Sequence, residues 1–163
     1  MTRTAWYQGW RVLEPLEYRT KHPVNPNHDI LKYVNETCEV RNPRLTVIES
    51  PASLYGNAHH LYVSKKSQKH NRYKESMEEF VTFASQIAES RLQENKHFVI
   101  EMPKGIWEKA IATNESLKKV LQHPGVCAKP GKSEQGFKYP RLTHWVASAE
   151  EITDQHNLSL IHI

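Results

Sequence analysis

His97-Phe-Val-Ile-Glu101, running into Met102-Pro103-Lys104-Gly105, is the stretch that decides how this chain folds. Three apolar residues, two of them β-branched, closed by a carboxylate and a proline, predict a short buried strand and then a turn. An earlier run, Arg44-Leu-Thr-Val-Ile-Glu49, repeats the pattern, and Ser50-Pro51 stops it, so a second buried strand is expected there. Between the two, Ser76 and Glu79 make a capping box. Met77, Phe80, Val81, Ala84, Ile87, Ala88 and Leu92 follow at helical spacing, up to a stop at Asn95. Strand, long helix and strand form a βαβ unit, with parallel strands and a right-handed crossover. The loops after both strands then meet at one rim, where open α/β sheets bind ligands. That rim collects Glu49, Ser50 and Pro51 from the first strand, and Glu101, Pro103 and Lys104 from the second. Two readings stand for Glu49 and Glu101: carboxylates that merely end their strands in solvent, or part of a ligand site.

Outward from this unit the pattern is weaker but continuous. Asn27 or Asp29 can cap a helix carrying Ile30, Leu31, Val34 and Cys38, ended by Asn42-Pro43. Asn114 can cap another through Leu117, Val120 and Leu121, stopped by Pro124-Gly125. Val126 to Ala147 predicts short strands around a Gly131/Gly136 turn region, clearest from Leu142 to Ala147. Ser148 with Glu151 opens a further capping box. Residues 1–28 form an irregular segment, with Trp6, Tyr7 and Trp10 among polar residues and Pro15, Pro23 and Pro26 breaking any long element. The fold class is α/β, with the domain proper at 29–157.

The 163 residues are one domain's worth, 38% hydrophobic and 25% charged, which is too apolar for a disordered tail. No apolar run approaches the roughly 18–20 residues a bilayer span needs, and no charged-then-apolar leader opens the chain. A cytoplasmic protein with no membrane partner is therefore expected. Cys38 and Cys127 cannot make a disulfide framework or a four-ligand zinc site, so no metal is expected, and both read as small core residues. Trp107 and Trp145 read as core anchors rather than base-stacking residues.

The net charge is only +4, but it is unevenly placed. Residues 50–74 contain no Asp or Glu and carry Lys65, Lys66, Lys69, Arg72 and Lys74, interleaved with Tyr55, Tyr62 and Tyr73. A polar loop of this length inside a domain is usually functional or disordered. Lysine and arginine neutralise phosphates with counterion release, and tyrosine offers a stacking face to an unpaired base. The competing reading is a solvated loop with no partner. A Ser53 pair with His59 or His60 is geometrically open, but nothing in the sequence would orient the imidazole.

From about Asn42 to Ile152 the chain resembles divergent cytosine-5 DNA methyltransferase-like domains of the kind found in phages and retroelements. The resemblance lies in Arg44-Leu-Thr-Val-Ile-Glu-Ser-Pro-Ala-Ser53, the basic loop, the long helix, and Lys96-His-Phe-Val-Ile-Glu-Met-Pro-Lys-Gly105 with Trp107 behind it. His123-Pro-Gly-Val126 and Phe137-Lys-Tyr-Pro-Arg-Leu-Thr-His-Trp-Val-Ala-Ser148 extend it. It implies a partial Rossmann-like parallel sheet with flanking helices, plus a small irregular β region near the C-terminus. It also implies nucleic acid, DNA foremost, as partner, with Lys65, Lys66, Lys69, Arg72, Lys74 and Tyr62 contacting it.

In that family a cysteine thiolate attacks carbon 6 of a flipped cytosine, a glutamate holds or protonates ring nitrogen 3, and carbon 5 takes a methyl from S-adenosylmethionine. Here Ser50 and Pro51 match the motif, Ala52 replaces a second proline, and Ser53 occupies the place of the cysteine. Glu101 matches the glutamate, and Met102 replaces an Asn or His. Ser53 and Glu101 are thus the catalytic positions by resemblance, but an unassisted serine hydroxyl is a far weaker nucleophile than a thiolate. S-adenosylmethionine is implied by resemblance alone, since before Asn42 there is one glycine, Gly9, and no strand leading into a glycine turn. The expected function is a methyltransferase-like pseudoenzyme that contacts nucleic acid. The alternatives are a non-catalytic DNA- or RNA-binding or decoy module acting through residues 53–74, and a decaying reading frame.

Leu158-Ser-Leu-Ile-His-Ile163 resembles a translated transposase adapter from sequencing libraries. The other reading is a short apolar strand. The adapter reading makes 158–163 a non-native tail on a fragment whose natural C-terminus is missing.

Overall fold

The computed structural model describes residues 30–50, 68–133 and 141–152. In order these form α1 (Ile30–Arg41), β1 (Leu45–Glu49), α2 (Gln68–Gln93), β2 (His97–Pro103), α3 (Lys104–Thr113), α4 (Glu115–Leu121), β3 (Cys127–Ser133) and β4 (Arg141–Ala147). The fold is mixed α/β, with one four-stranded sheet in the order β1-β2-β4-β3 and helices packed against it. β1 and β2 are parallel, in the register Leu45↔His97 to Glu49↔Glu101. β4 is antiparallel to both β2 and β3, so β1, β2 and β3 point one way and only β4 is reversed. Their three carboxyl ends share a rim, as the βαβ reading required. The expected irregular β region is a regular antiparallel pair that continues the same sheet.

Chain stops are built from residues that tolerate the left-handed region. Asn42 (φ 47) ends α1, its N–H donating to the Cys38 carbonyl at 2.8 Å. Asn95 (φ 54) ends α2 in a Schellman arrangement: Lys96 N–H reaches the Arg91 carbonyl at 2.8 Å and Asn95 N–H the Leu92 carbonyl at 3.1 Å. Asn114 caps α4 by accepting from Leu117 N–H at 2.9 Å, while its amide donates to Thr82 Oγ1 at 3.0 Å and ties α4 to α2.

The sheet has two unlike faces. Alternation along the strands puts Ile48, Phe98, Ile100, Met102 and Val146 on the helix side. There they join Val81, Ile87, Ile106, Leu117 and Val120 in the main core. Each such side chain contributes roughly 1.5–3 kcal/mol on burial. The opposite, outer face buries a smaller cluster of Val99, Trp145 and Ala147, with Leu45, Cys127 and Ile152 packed against it. Cys38 is buried, as expected of a small core residue, and Cys127 is half-buried.

Several expectations change. β1 is not a buried strand but an edge strand, its burial alternating so that Ile48 is covered while Val47 and Glu49 are exposed. A strand with a neighbour on both sides and cover on both faces buries consecutive residues, as β2 does along its length and β4 does over Trp145, Val146 and Ala147. Met102 and Pro103 do not turn the chain. Both are buried strand residues, and Pro103 (φ −56, ψ 143) is directly the N-cap of α3, as a residue without a free N–H permits.

Helix α2 begins at Gln68, eight residues before the capping box at Ser76 and Glu79. No Gly or Pro occurs from Asn57 to Met102, and the Gln, Lys and Arg of 68–74 are good helix formers, so nothing stops the helix from extending. Gly131 lies within β3 rather than at a turn. A helix does begin at 150–152, but the Ser148 hydroxyl expected to cap it accepts from Phe98 N–H at 3.2 Å and lies 3.0 Å from His97 Nδ1. Residues 1–28, including Asn27, and the tail 158–163 lie outside the described residues, as does Asp29.

Candidate functional site

The register places Glu49 beside Glu101 on the outer face, at the carboxyl ends of β1 and β2. Glu101 pairs with Trp145 of β4, and Trp145 with Lys129 of β3. One row therefore crosses the whole sheet as carboxylate, carboxylate, indole and ammonium. Glu49 is exposed, as the solvent reading proposed, whereas Glu101 is 8% exposed and is no strand terminus. A covered carboxylate near the carboxyl end of a central strand stands where open α/β sheets bind ligands, which makes Glu101 a functional-site candidate.

The next row toward the rim is Pro103, Thr143 and Gly131. Trp145, 2% exposed, lays its indole over Gly131: a Cβ there would overlap Nε1 and Cδ1 of the ring and come 3.4 Å from Thr143 Oγ1. Gly131 is thus a strand residue that admits the indole, and Trp145 is the core anchor expected. Thr143 is 1% exposed and its hydroxyl has no hydrogen-bond partner. Ser50, just past β1, is also buried with an unpartnered hydroxyl. Lys129 Nζ meets Glu150 Oε1 at 2.7 Å.

On the helix side of the same rim Lys104 is exposed and lies 3.6 Å from Glu108 in the first turns of α3. Trp107, half-buried, stacks on His144, with ring centroids 5.0 Å apart and planes at 11°. Burial holds the His144 imidazole pKa below 6.5; Glu108 opposes that shift and Lys104 adds to it.

Of the basic loop, Lys69, Arg72 and Lys74 are not in a loop: they stand on the first two turns of α2. A helix of 26 residues spans roughly 39 Å, against roughly 23 Å for a seven-residue strand. Met77 is the first residue of α2 in the main core. The opening turns stand at the rim end of the layer, because α2 runs back from the end of β1 to the start of β2. Pro51, Ser53, His59, His60, Tyr62, Lys65 and Lys66 lie outside the described residues.

Among the described residues no group of three His, Cys, Asp or Glu could hold a metal, and no helix is long and apolar enough to cross a membrane. Trp145, Gly131, Thr143 and Lys129 joined the site through the β3–β4 register, which no local motif announces. No family model matches the chain, and no curated protein or solved structure is similar to it.

Proposed function

We propose that this chain is a methyltransferase-like, nucleic-acid-contacting domain that acts inside the cell and does not itself transfer methyl groups to cytosine. The observation that carries the reading is Glu101, a buried carboxylate on the central strand β2, close to a rim shared by three parallel strand ends. That is where the resembling family keeps the glutamate that grips a flipped base. Lys69, Arg72 and Lys74 at the start of α2 supply positive charge at the same end of the sheet, suited to phosphates. Ser53 in the place of the thiolate removes the nucleophile.

Among the described residues, none forms a glycine loop for S-adenosylmethionine. The described glycines, Gly105, Gly125 and Gly131, lie in α3, in the turn before β3 and within β3, and none forms a loop after a strand end that could approach the cofactor's methionine moiety.

Binding of the full chain to single-stranded and duplex DNA and RNA across a salt series tests this. Affinity should fall steeply with salt, and Lys65, Lys66 and Lys69 changed together to Gln should lower the salt slope by about one unit for each phosphate no longer neutralised. Absent or salt-independent binding would refute the proposal. Methyl transfer from labelled S-adenosylmethionine that disappears in Glu101→Gln would overturn its inactive half.

A further inference from the structure

We infer that the open edge of β1 is a pairing surface for a second copy of this chain, joined antiparallel about Val47 into one continuous sheet. The two edges of the sheet are β1 and β3, and they are not alike. β3 is blunted by Pro130, which has no N–H to offer, and by the charge of Lys129. β1 has no such guard: from Leu45 to Ile48 it carries no proline, glycine or charge. An unguarded edge is a ready template for another strand.

His97 N–H donates to the Arg44 carbonyl at 2.9 Å. In a parallel ladder alternate residues bond to the neighbouring strand, so Arg44, Thr46, Ile48 and Ser50 turn their peptide groups toward β2. Leu45, Val47 and Glu49 turn theirs to the open side, where no described residue bonds to them. These residues are centred on Val47. A two-fold axis there sets Val47 against its own copy and Leu45 against Glu49 of the second copy. Each facing pair then exchanges two hydrogen bonds, and no outward group of the strand is left over. A slip of one residue would oppose outward groups to inward ones, and a slip of two would leave a pair unmade.

The side chains agree with this register. Val47, 38% exposed, meets its copy on the outer face. Arg44 and Glu49 are exposed, stand at opposite ends of the strand, and make no ion pair among the described residues. An antiparallel copy brings each Arg44 to the Glu49 end of its mate, whereas a parallel copy would set like charges side by side. Helix α1, which leads into β1, also leaves Tyr33 and Val40 exposed, two turns apart on one face. Among the described residues, only Ile111 and Leu142 are large, apolar and exposed outside this helix and strand.

The test is sedimentation velocity of the full chain over a concentration series, with Val47→Lys, Val47→Pro, Arg44→Glu, and Arg44→Glu combined with Glu49→Arg. Wild type should pass from monomer to dimer. Val47→Lys sets two ammonium groups face to face at the axis and should weaken association about tenfold or more. Val47→Pro should do the same, because it removes an outward N–H and spares the ladder to β2. Arg44→Glu should weaken association, and the reversed pair should restore it. Wild type that stays monomeric up to about 1 mM overturns the inference and leaves the edge to a strand of another protein. A dimer that both Val47 variants leave intact lies on another surface and also overturns it. Should the Val47 variants unfold early, the charge variants decide: Arg44→Glu without effect, or a reversed pair that fails to restore the dimer, overturns the inference. Nucleic-acid binding enters none of these outcomes, so the function proposed above stands or falls separately.

Discussion

On the helix face of the sheet, Phe98, Ile100, Met102 and Val146 are wholly covered and belong to the main apolar core. One residue further along the same strands, the outer face alternates Val99 and Ala147 with Glu101, Thr143 and Lys129. The backbone is shared, and so is the ladder of hydrogen bonds; only the side chains differ. The first face gains free energy from each apolar side chain it covers. The second retains a covered carboxylate, Glu101, and an unpartnered hydroxyl, Thr143, which burial does not favour. That contrast separates what holds the domain together from what is kept for another purpose, and it can be broken at several points.

The largest effect should come from the helix face. Phe98→Ala, at a site with no residual exposure, should cost about 3–5 kcal/mol in a urea titration, a large share of the ~5–15 kcal/mol typical of a domain. A loss below about 1 kcal/mol would mean the two faces are not so unequal. Next comes Gly131→Ala on the outer face. The added methyl runs into the Trp145 indole, so a loss of about 1–3 kcal/mol is expected, with a change in tryptophan fluorescence reporting the displaced ring. Unchanged fluorescence and stability would remove Trp145 from its place over β3.

The smallest effect concerns acid. Because burial lowers the His144 pKa in the folded chain, the unfolded chain takes up that proton first as pH falls. Stability from this group is therefore full above 6.5 and is lost as pH drops from there through the lowered folded value. His144→Phe, which keeps a ring for Trp107 to stack on, should flatten the unfolding midpoint over that window. A midpoint with the same acid slope in wild type and variant would place the titrating group elsewhere.

How much of the fold is legible in the sequence depends on whether the cause is local. The runs at Leu45–Glu49 and His97–Glu101 announce strands because β-branched and apolar residues cluster there, and the helix between them forces the parallel pairing. Asn42, Asn95 and Asn114 act at their own positions, so their roles can be read directly. The start of α2 cannot. A Ser-x-x-Glu pattern occurs inside helices as well as at their ends, and only the polar turns before Met77 distinguish the two. Gly131 resembles a turn residue because its true reason, the indole of Trp145, arrives from another strand. The pairing of Glu49 with Glu101 follows from topology, whereas the diagonal placement of Thr143 requires the register of β4. A resemblance to methyltransferase-like domains singles out Glu101, but only burial sets it apart from Glu49.

The reversed strand β4 has a consequence for the order of assembly. It lies between β2 and β3, so β3 has no strand to pair with until residues 141–147 have been made. During synthesis the βαβ half can close on its own helix, but β2 then waits with one edge bare and β3 waits alone. The sheet is completed by insertion, not by accretion at its border. Pairings that late and that distant in sequence slow folding and leave an unpaired edge open to other chains in the meantime. Strand β4 is thus what shields the earlier ones from the crowd around the nascent chain.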